Sequence, residues 1–119
     1  MKIIINEVPL SKNLYVNQHW SKRKEYKELI SWLVYEQIYC IEDRITCKKA
    51  TITFDIYFKD KRKRDVQNYI GGGIIAILDV LVDLKLIEDD CYDCIGQPLV
   101  NFFIDKANPR TEIKIERRE

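Results

Sequence analysis

Asp65 stands a few residues beyond an alternating apolar strand, directly after the basic run Lys61-Arg62-Lys63-Arg64, and ahead of a glycine-interrupted helix. Asp90 closes the triplet Glu88-Asp89-Asp90, just past the far end of that helix. A strand exit and a helix exit can converge on one edge of a small α/β domain, which would bring the two carboxylates together. Magnesium takes hard oxygen ligands, usually from few carboxylates, and completes its octahedron with water and phosphate oxygens. Manganese suits the same donors. A cation held there would activate water for in-line attack on phosphorus and neutralise charge on the departing oxygen. The basic run would grip the neighbouring phosphates. That chemistry is phosphodiester hydrolysis. The same carboxylates and cations also fit a solvated surface, and their spacing leaves both readings open.

Net charge gives no hint of a polyanionic partner, because it is only +1. The distribution does. Cations gather at Lys22-Arg23-Lys24, Lys48-Lys49, Lys59 to Arg64 and around Lys114, Arg117 and Arg118, whereas Asp79, Asp83, Glu88, Asp89, Asp90 and Asp93 share one window. Separated poles of this kind suit a phosphate-binding surface around an acidic centre. The best phosphate contacts by position are Lys61, Arg62, Lys63 and Arg64, with Lys22, Arg23 and Lys24 near a helix start second. His19 reads as an exposed loop residue, and Trp20, Tyr26 and Trp32 as helix packing. Asp79 and Asp83 read as solvated helix carboxylates. Cys40, Cys47, Cys91 and Cys94 could supply four thiolates to zinc, but the six-residue spacing within the first pair favours ordinary packing thiols.

The elements that must position these groups follow from periodicity. Ile3-Ile4-Ile5 forms a strand ended at Pro9, and the polar stretch from Pro9 to His19 reads as a loop. Tyr26, Leu29, Ile30, Leu33, Val34 and Ile38 predict a helix to about Cys40, with Ser21 as its N-cap. Ile52, Phe54, Ile56 and Phe58 alternate with Thr51, Thr53, Asp55 and Tyr57, which predicts a strand. Helical spacing returns from Asn68 to Leu86, broken by Gly71-Gly72-Gly73, so a firm helix starts near Gly73 or Ile74. The glycines turn the chain or admit a backbone or phosphate closely. Leu99 to Ile104 and Thr111 to Glu116 read as strands, with a turn at Asn108-Pro109 between them. The 119 residues suffice for one core. The expected fold is therefore a single α+β domain over residues 1–119, a mixed sheet of about four strands carrying two amphipathic helices. No apolar run reaches the roughly 20 residues that cross a bilayer, and the start lacks a signal-peptide pattern. No membrane partner and a cytoplasmic location are the expectations.

The stretches Lys63-Arg64-Asp65-Val66-Gln67-Asn68, Ile77-Leu78-Asp79 and Leu86-Ile87-Glu88-Asp89-Asp90 resemble the signature of RusA-type Holliday-junction resolvases. Pro9-Leu10-Ser11-Lys12-Asn13-Leu14-Tyr15 resembles the opening motif of the same family. The likeness runs in order over most of the chain and is densest between Arg62 and Asp90. It implies a homodimeric, Mg2+-dependent endonuclease, with Mn2+ as the alternative cation, that nicks opposing strands of four-way DNA junctions in recombination and repair. Such enzymes are often carried by phages or prophages. By position, the resemblance makes Asp65 and Asp90 metal ligands and gives Asn68 an orienting role.

Two positions depart from that pattern. The second motif aspartate is Gln67, whose carbonyl brings no charge, so Asp89 or Asp93 would have to compensate. The family's lysine falls at Ile75 counted back from Asp79, or at Gly71 counted forward from Asn68. The alternatives are a branched-DNA-binding protein without catalysis and a protein-interaction domain that dimerises through its apolar helix faces.

Overall fold

Apolar residues at the start of the chain form β1 (Lys2–Ile5), followed by α1 (Lys12–Val16) and α2 (Trp20–Ile38). The alternating segment forms β2 (Ala50–Phe58). After it come α3 (Val66–Ile70), α4 (Gly73–Asp83), α5 (Tyr92–Ile95), β3 (Leu99–Ile104) and β4 (Arg110–Arg117). The structure is a computed structural model and describes residues 1–41 and 44–118. The four strands make one mixed sheet in the order β1-β4-β2-β3. The chain is thus an α+β domain in which two longer helices cover one face of the sheet.

Period-two burial explains β2. Ile52, Phe54 and Ile56 are fully buried, together with Ala50 and Phe58, and they meet Ile30, Val34 and Ile38 of α2 and Ile74, Ile77 and Leu81 of α4. Burying an apolar side chain of this size contributes roughly 1.5–3 kcal/mol, so this one layer supplies most of the driving force. β3 lies parallel to β2, from Thr53↔Leu99 to Phe58↔Ile104. A parallel pair needs a crossover, and α3, α4 and α5 form it. β4 does not pair with β3, its predecessor in the chain. It runs antiparallel between β1 and β2.

Several local expectations are corrected. The segment before α2 is not all loop, because Ser11 caps α1 by accepting from the Leu14 amide. α2 is capped by His19, whose Nδ1 accepts from the Ser21 amide at 3.2 Å, and not by Ser21. Trp20 and Trp32 are 64% and 65% exposed, so neither packs in the core. The reason is the width of the buried stripe. Ile30, Val34 and Ile38 follow one i, i+4 row, and the residues flanking it turn outward. Only Cys47 and Cys94 among the cysteines pack against the core, while Cys40 and Cys91 are exposed.

The opposite face of the sheet is held by charge. Asp55, 4% exposed, accepts from Asn101 Nδ2 at 2.9 Å and pairs with Lys114 Nζ at 2.9 Å. Glu112 is bridged by Lys2 at 2.8 Å and by Arg110 at 2.8 Å. Burial pushes the Asp55 carboxyl upward, but hydrogen bonds from Lys114 and Asn101 outweigh it and hold the group below its ordinary value. Glu112 is also lowered, chiefly by the Lys2 hydrogen bond. A carboxyl lowered on folding adds stability that is complete above its unfolded value, roughly pH 4, and is lost as pH falls through the folded one. Lys114→Met should therefore reduce stability by about 1–2 kcal/mol at pH 7, because Asp55 keeps only Asn101. Urea titrations at pH 7 and pH 3 check this. The gap between variant and wild type should shrink at the lower pH.

Candidate functional site

Two segments far apart in the chain are pressed together by glycine. A β-carbon on Gly72 would lie 2.5 Å from the Leu10 carbonyl oxygen and 2.6 Å from the Lys12 nitrogen. One on Gly73 would lie 2.5 Å from the Leu10 nitrogen. The Gly73 amide donates to the Leu10 carbonyl at 2.7 Å, and the Leu10 amide donates to the Tyr26 hydroxyl at 3.3 Å. Leu10 is thereby pinned on both sides. Tyr26 is buried enough for its hydroxyl to be pushed up to about 12 despite the Leu10 bond, so it stays a neutral buttress. The glycines serve the close approach of a backbone, one of the two roles the sequence left open.

This clamp forms one wall of an open hollow of ≈ 740 Å³. Pro9, Leu10, Ser11 and Leu14 line it from one side, and Arg62, Lys63, Arg64, Asp65, Asn68 and Tyr69 from the other. Tyr69 packs edge-on against Phe58 and Phe102 and anchors α3 to the end of β2. Asp65 is the N-cap of α3, with one carboxylate oxygen accepting from the Gln67 amide at 3.1 Å. Its cap role explains why the helix begins there. Gln67 itself is exposed.

The basic run divides by role. Arg64 lies 3.9 Å over the Phe58 ring and donates to Asp60 Oδ1 at 2.7 Å and to the Asp60 and Arg62 carbonyls at 3.0 Å. Its side chain is 12% exposed. Arg64 shapes the loop from beneath. Lys61, Arg62 and Lys63 are exposed, with Arg62 only 3.9 Å from Asp60 in a loose pair. These three point their charge at solvent and suit phosphate.

The second basic cluster lies elsewhere. Lys22 pairs with Glu25 at 3.6 Å, while Arg23 and Lys24 border a separate hollow with Trp20, Lys27, Asp79 and Asp83. Asp79 is not free in solvent, because Lys27 approaches it at 3.5 Å.

Asp90 belongs to this acidic side. Burial, a hydrogen bond with Asp89 and the charges of Asp79 and Asp89 together push its carboxyl above the ordinary value. The Asp89 side chain also accepts from the Asp90 amide at 2.8 Å. The chain brings Asp65 and Asp90 in from different ends of β2. Asp65 arrives from the Phe58 end of β2, whereas Asp90 follows Glu88, whose amide bonds to the Cys47 carbonyl ahead of the Ala50 end. Among the described residues, no three His, Cys, Asp or Glu side chains group to hold a metal ion.

Cys91 and Cys94 approach at 3.4 Å across the short helix α5, and that hydrogen bond raises the Cys94 thiol to about 11. Cys94 therefore stays a thiol near neutrality. No described helix is long and apolar enough to cross a membrane. Ser11, Leu14 and Tyr69 are hollow residues that sequence reasoning missed as a site. Only the N-terminal Pro-x-Ser pattern marked the first of them. No protein-family model matches the chain, and no curated protein matches it.

Proposed function

We propose that this chain is a magnesium-dependent endonuclease for four-way DNA junctions, gripping phosphates in the hollow between Ser11 and Asn68. One observation carries the reading. Two segments singled out by their likeness to RusA-type resolvases, Pro9 to Leu14 and Arg62 to Asn68, line one basic hollow. The other two, around Asp79 and Asp89-Asp90, are near enough for the Asp79 charge to help raise Asp90.

Asp89 and Asp90 are adjacent hard oxygen donors that repel each other, chemistry that would suit a hard cation keeping most of its water. By the resemblance Asp65, Asp89 and Asp90 would hold it, and the cation would supply Lewis-acid stabilisation at the phosphate. Of the three, Asp65 alone lines the hollow, and Asp89 and Asp90 lie on the acidic side. The chain's own residues supply the rest. Lys61, Arg62 and Lys63 fix the backbone phosphates, and Asn68, which lines the hollow, orients the strand. Asp65 keeps one oxygen on the Gln67 amide and has the other for a water proton or a cation. A junction is nearly two-fold symmetric, so a symmetric homodimer would place two such sites on matching strands.

A second reading, junction binding without cleavage, is favoured by the uncharged Gln67 and by the lack of a three-ligand group among the described residues. A labelled four-way junction separates the two. Retardation at low salt together with Mg2+-dependent nicking supports the enzyme; retardation alone supports the binder; the absence of retardation and nicking alike removes both readings. The Asp90→Asn variant sharpens the result. A carboxyl raised on folding costs stability once it ionises, so the variant should melt above wild type at pH 7 while losing nicking at least 100-fold.

A further inference from the structure

The side chain of Lys12 lies across Gly71. A β-carbon at Gly71 would meet Lys12 Cδ at 3.3 Å and Cγ at 3.7 Å, so the lysine stem occupies the space that any larger residue there would take. Gly71 has φ −81°, a conformation open to every residue. The backbone angle therefore gives no reason for glycine at this position, and the passing lysine does. Lys12 is held by the clamp already described, since Gly72 packs against its backbone nitrogen. Ser11 and Leu14, one and two residues from Lys12, both border the basic hollow, as does Asn68, three residues before Gly71. Lys12 is exposed, and no ion pair to it is found among the described residues.

We propose that Lys12 is a phosphate-binding residue of the hollow, delivered from the N-terminal segment through the gap that Gly71 leaves. The ligand class is a nucleic-acid phosphodiester. The loop after β2 already offers Arg62 and Lys63 to the hollow, so a strand there would meet cations from two separate segments of the chain. This inference rests on the DNA-binding reading and adds a residue on a different element from the basic run.

The test is junction binding by wild type, Lys12→Ala and Lys12→Ala combined with Gly71→Lys, each measured between 50 and roughly 200 mM salt. Loss of one phosphate contact should weaken binding about 8-fold near 0.1 M salt and lower the salt slope by about 0.9. The double variant, which returns an ammonium to the same place from α3, should recover most of both. Circular dichroism checks that each variant is folded, as an exposed lysine leads one to expect. Wild-type affinity and slope in Lys12→Ala would overturn the inference while leaving the DNA-binding reading intact. A wild-type protein that retains no junction at 50 mM salt would overturn both. Weakening that the Gly71→Lys partner fails to relieve would also count against it, because the effect would then not come from a cation at that place.

Discussion

Gly73→Val is expected to lower folding stability by about 3 kcal/mol and to weaken junction binding in the molecules that remain folded. A β-carbon there meets backbone at 2.5 Å and the Tyr26 hydroxyl at 2.7 Å. Neither neighbour yields cheaply. The backbone belongs to a segment tied down by the Gly73 and Leu10 amides, and Tyr26 is packed against Tyr15 at 6.0 Å. Overpacking of this kind costs roughly 1–3 kcal/mol, and loss of the Gly73 hydrogen bond adds about 1 kcal/mol. Urea denaturation reads the first effect. The second separates this variant from an ordinary core mutation, because residues 9–11 are displaced from the hollow they line. A β-branched residue accepted with less than about 1 kcal/mol of loss would show that the clamp is looser than its geometry.

The double variant Arg62→Ala with Lys63→Ala should reduce junction affinity by about 60-fold at 0.1 M salt, two phosphate contacts each contributing about 0.9 to the salt slope. Its melting temperature should match wild type, since both side chains are exposed and Arg62 has only a loose partner. Arg64→Ala should behave in the opposite sense. That guanidinium sits on Phe58 and is bonded to Asp60, so its removal should unsettle the loop and lower stability. Electrophoretic mobility at several salt concentrations, run beside thermal melts, distinguishes the two kinds of arginine. Equal affinity of the Arg62/Lys63 variant and wild type would remove the basic run from any role in binding.

The division within Lys61 to Arg64 was invisible in the sequence, where four adjacent cations look alike. Nothing in that run says that Arg64 alone turns back onto an aromatic ring, because the ring's position depends on how β2 ends. The strands and the two longer helices were legible for the opposite reason. Ile52, Phe54 and Ile56 state their own period, and so do Ile30, Val34 and Ile38. Short elements were not. α1, α3 and α5 run four or five residues, too few for a period to declare itself, and they exist because tertiary neighbours hold them. Trp20 and Trp32 misled because aromatic residues on a helix suggest packing, and exposure depends on how wide a stripe the partner covers.

The hollow was half legible. Arg62 to Asn68 stood out by charge and by the Asp65 cap position, but the contribution of Ser11 needed the glycine clamp, a long-range contact with no local sign. The same holds for the missing motif lysine. Counting along the helix finds Gly71 or Ile75, and no spacing argument places Lys12 over Gly71. Asp65 and Asp90 show a different limit. Their positions past a strand and past a helix were read correctly, yet which carboxylates influence Asp90 depends on the return path after α4, and the structure names Asp79 and Asp89.

The strand order carries a consequence for how the chain is made. β4 leaves the ribosome after every other element, yet it lies between β1 and β2 and pairs with both. Until residues 110–117 emerge, Ile3 and Ile5 have no strand beside them, and one edge of β2 stays bare. The nascent chain must therefore carry an unfinished sticky layer until that segment emerges, a state prone to capture by other chains. Closure then depends on contacts of very long sequence separation, which predicts slow folding once β4 is free and a benefit from holdase chaperones.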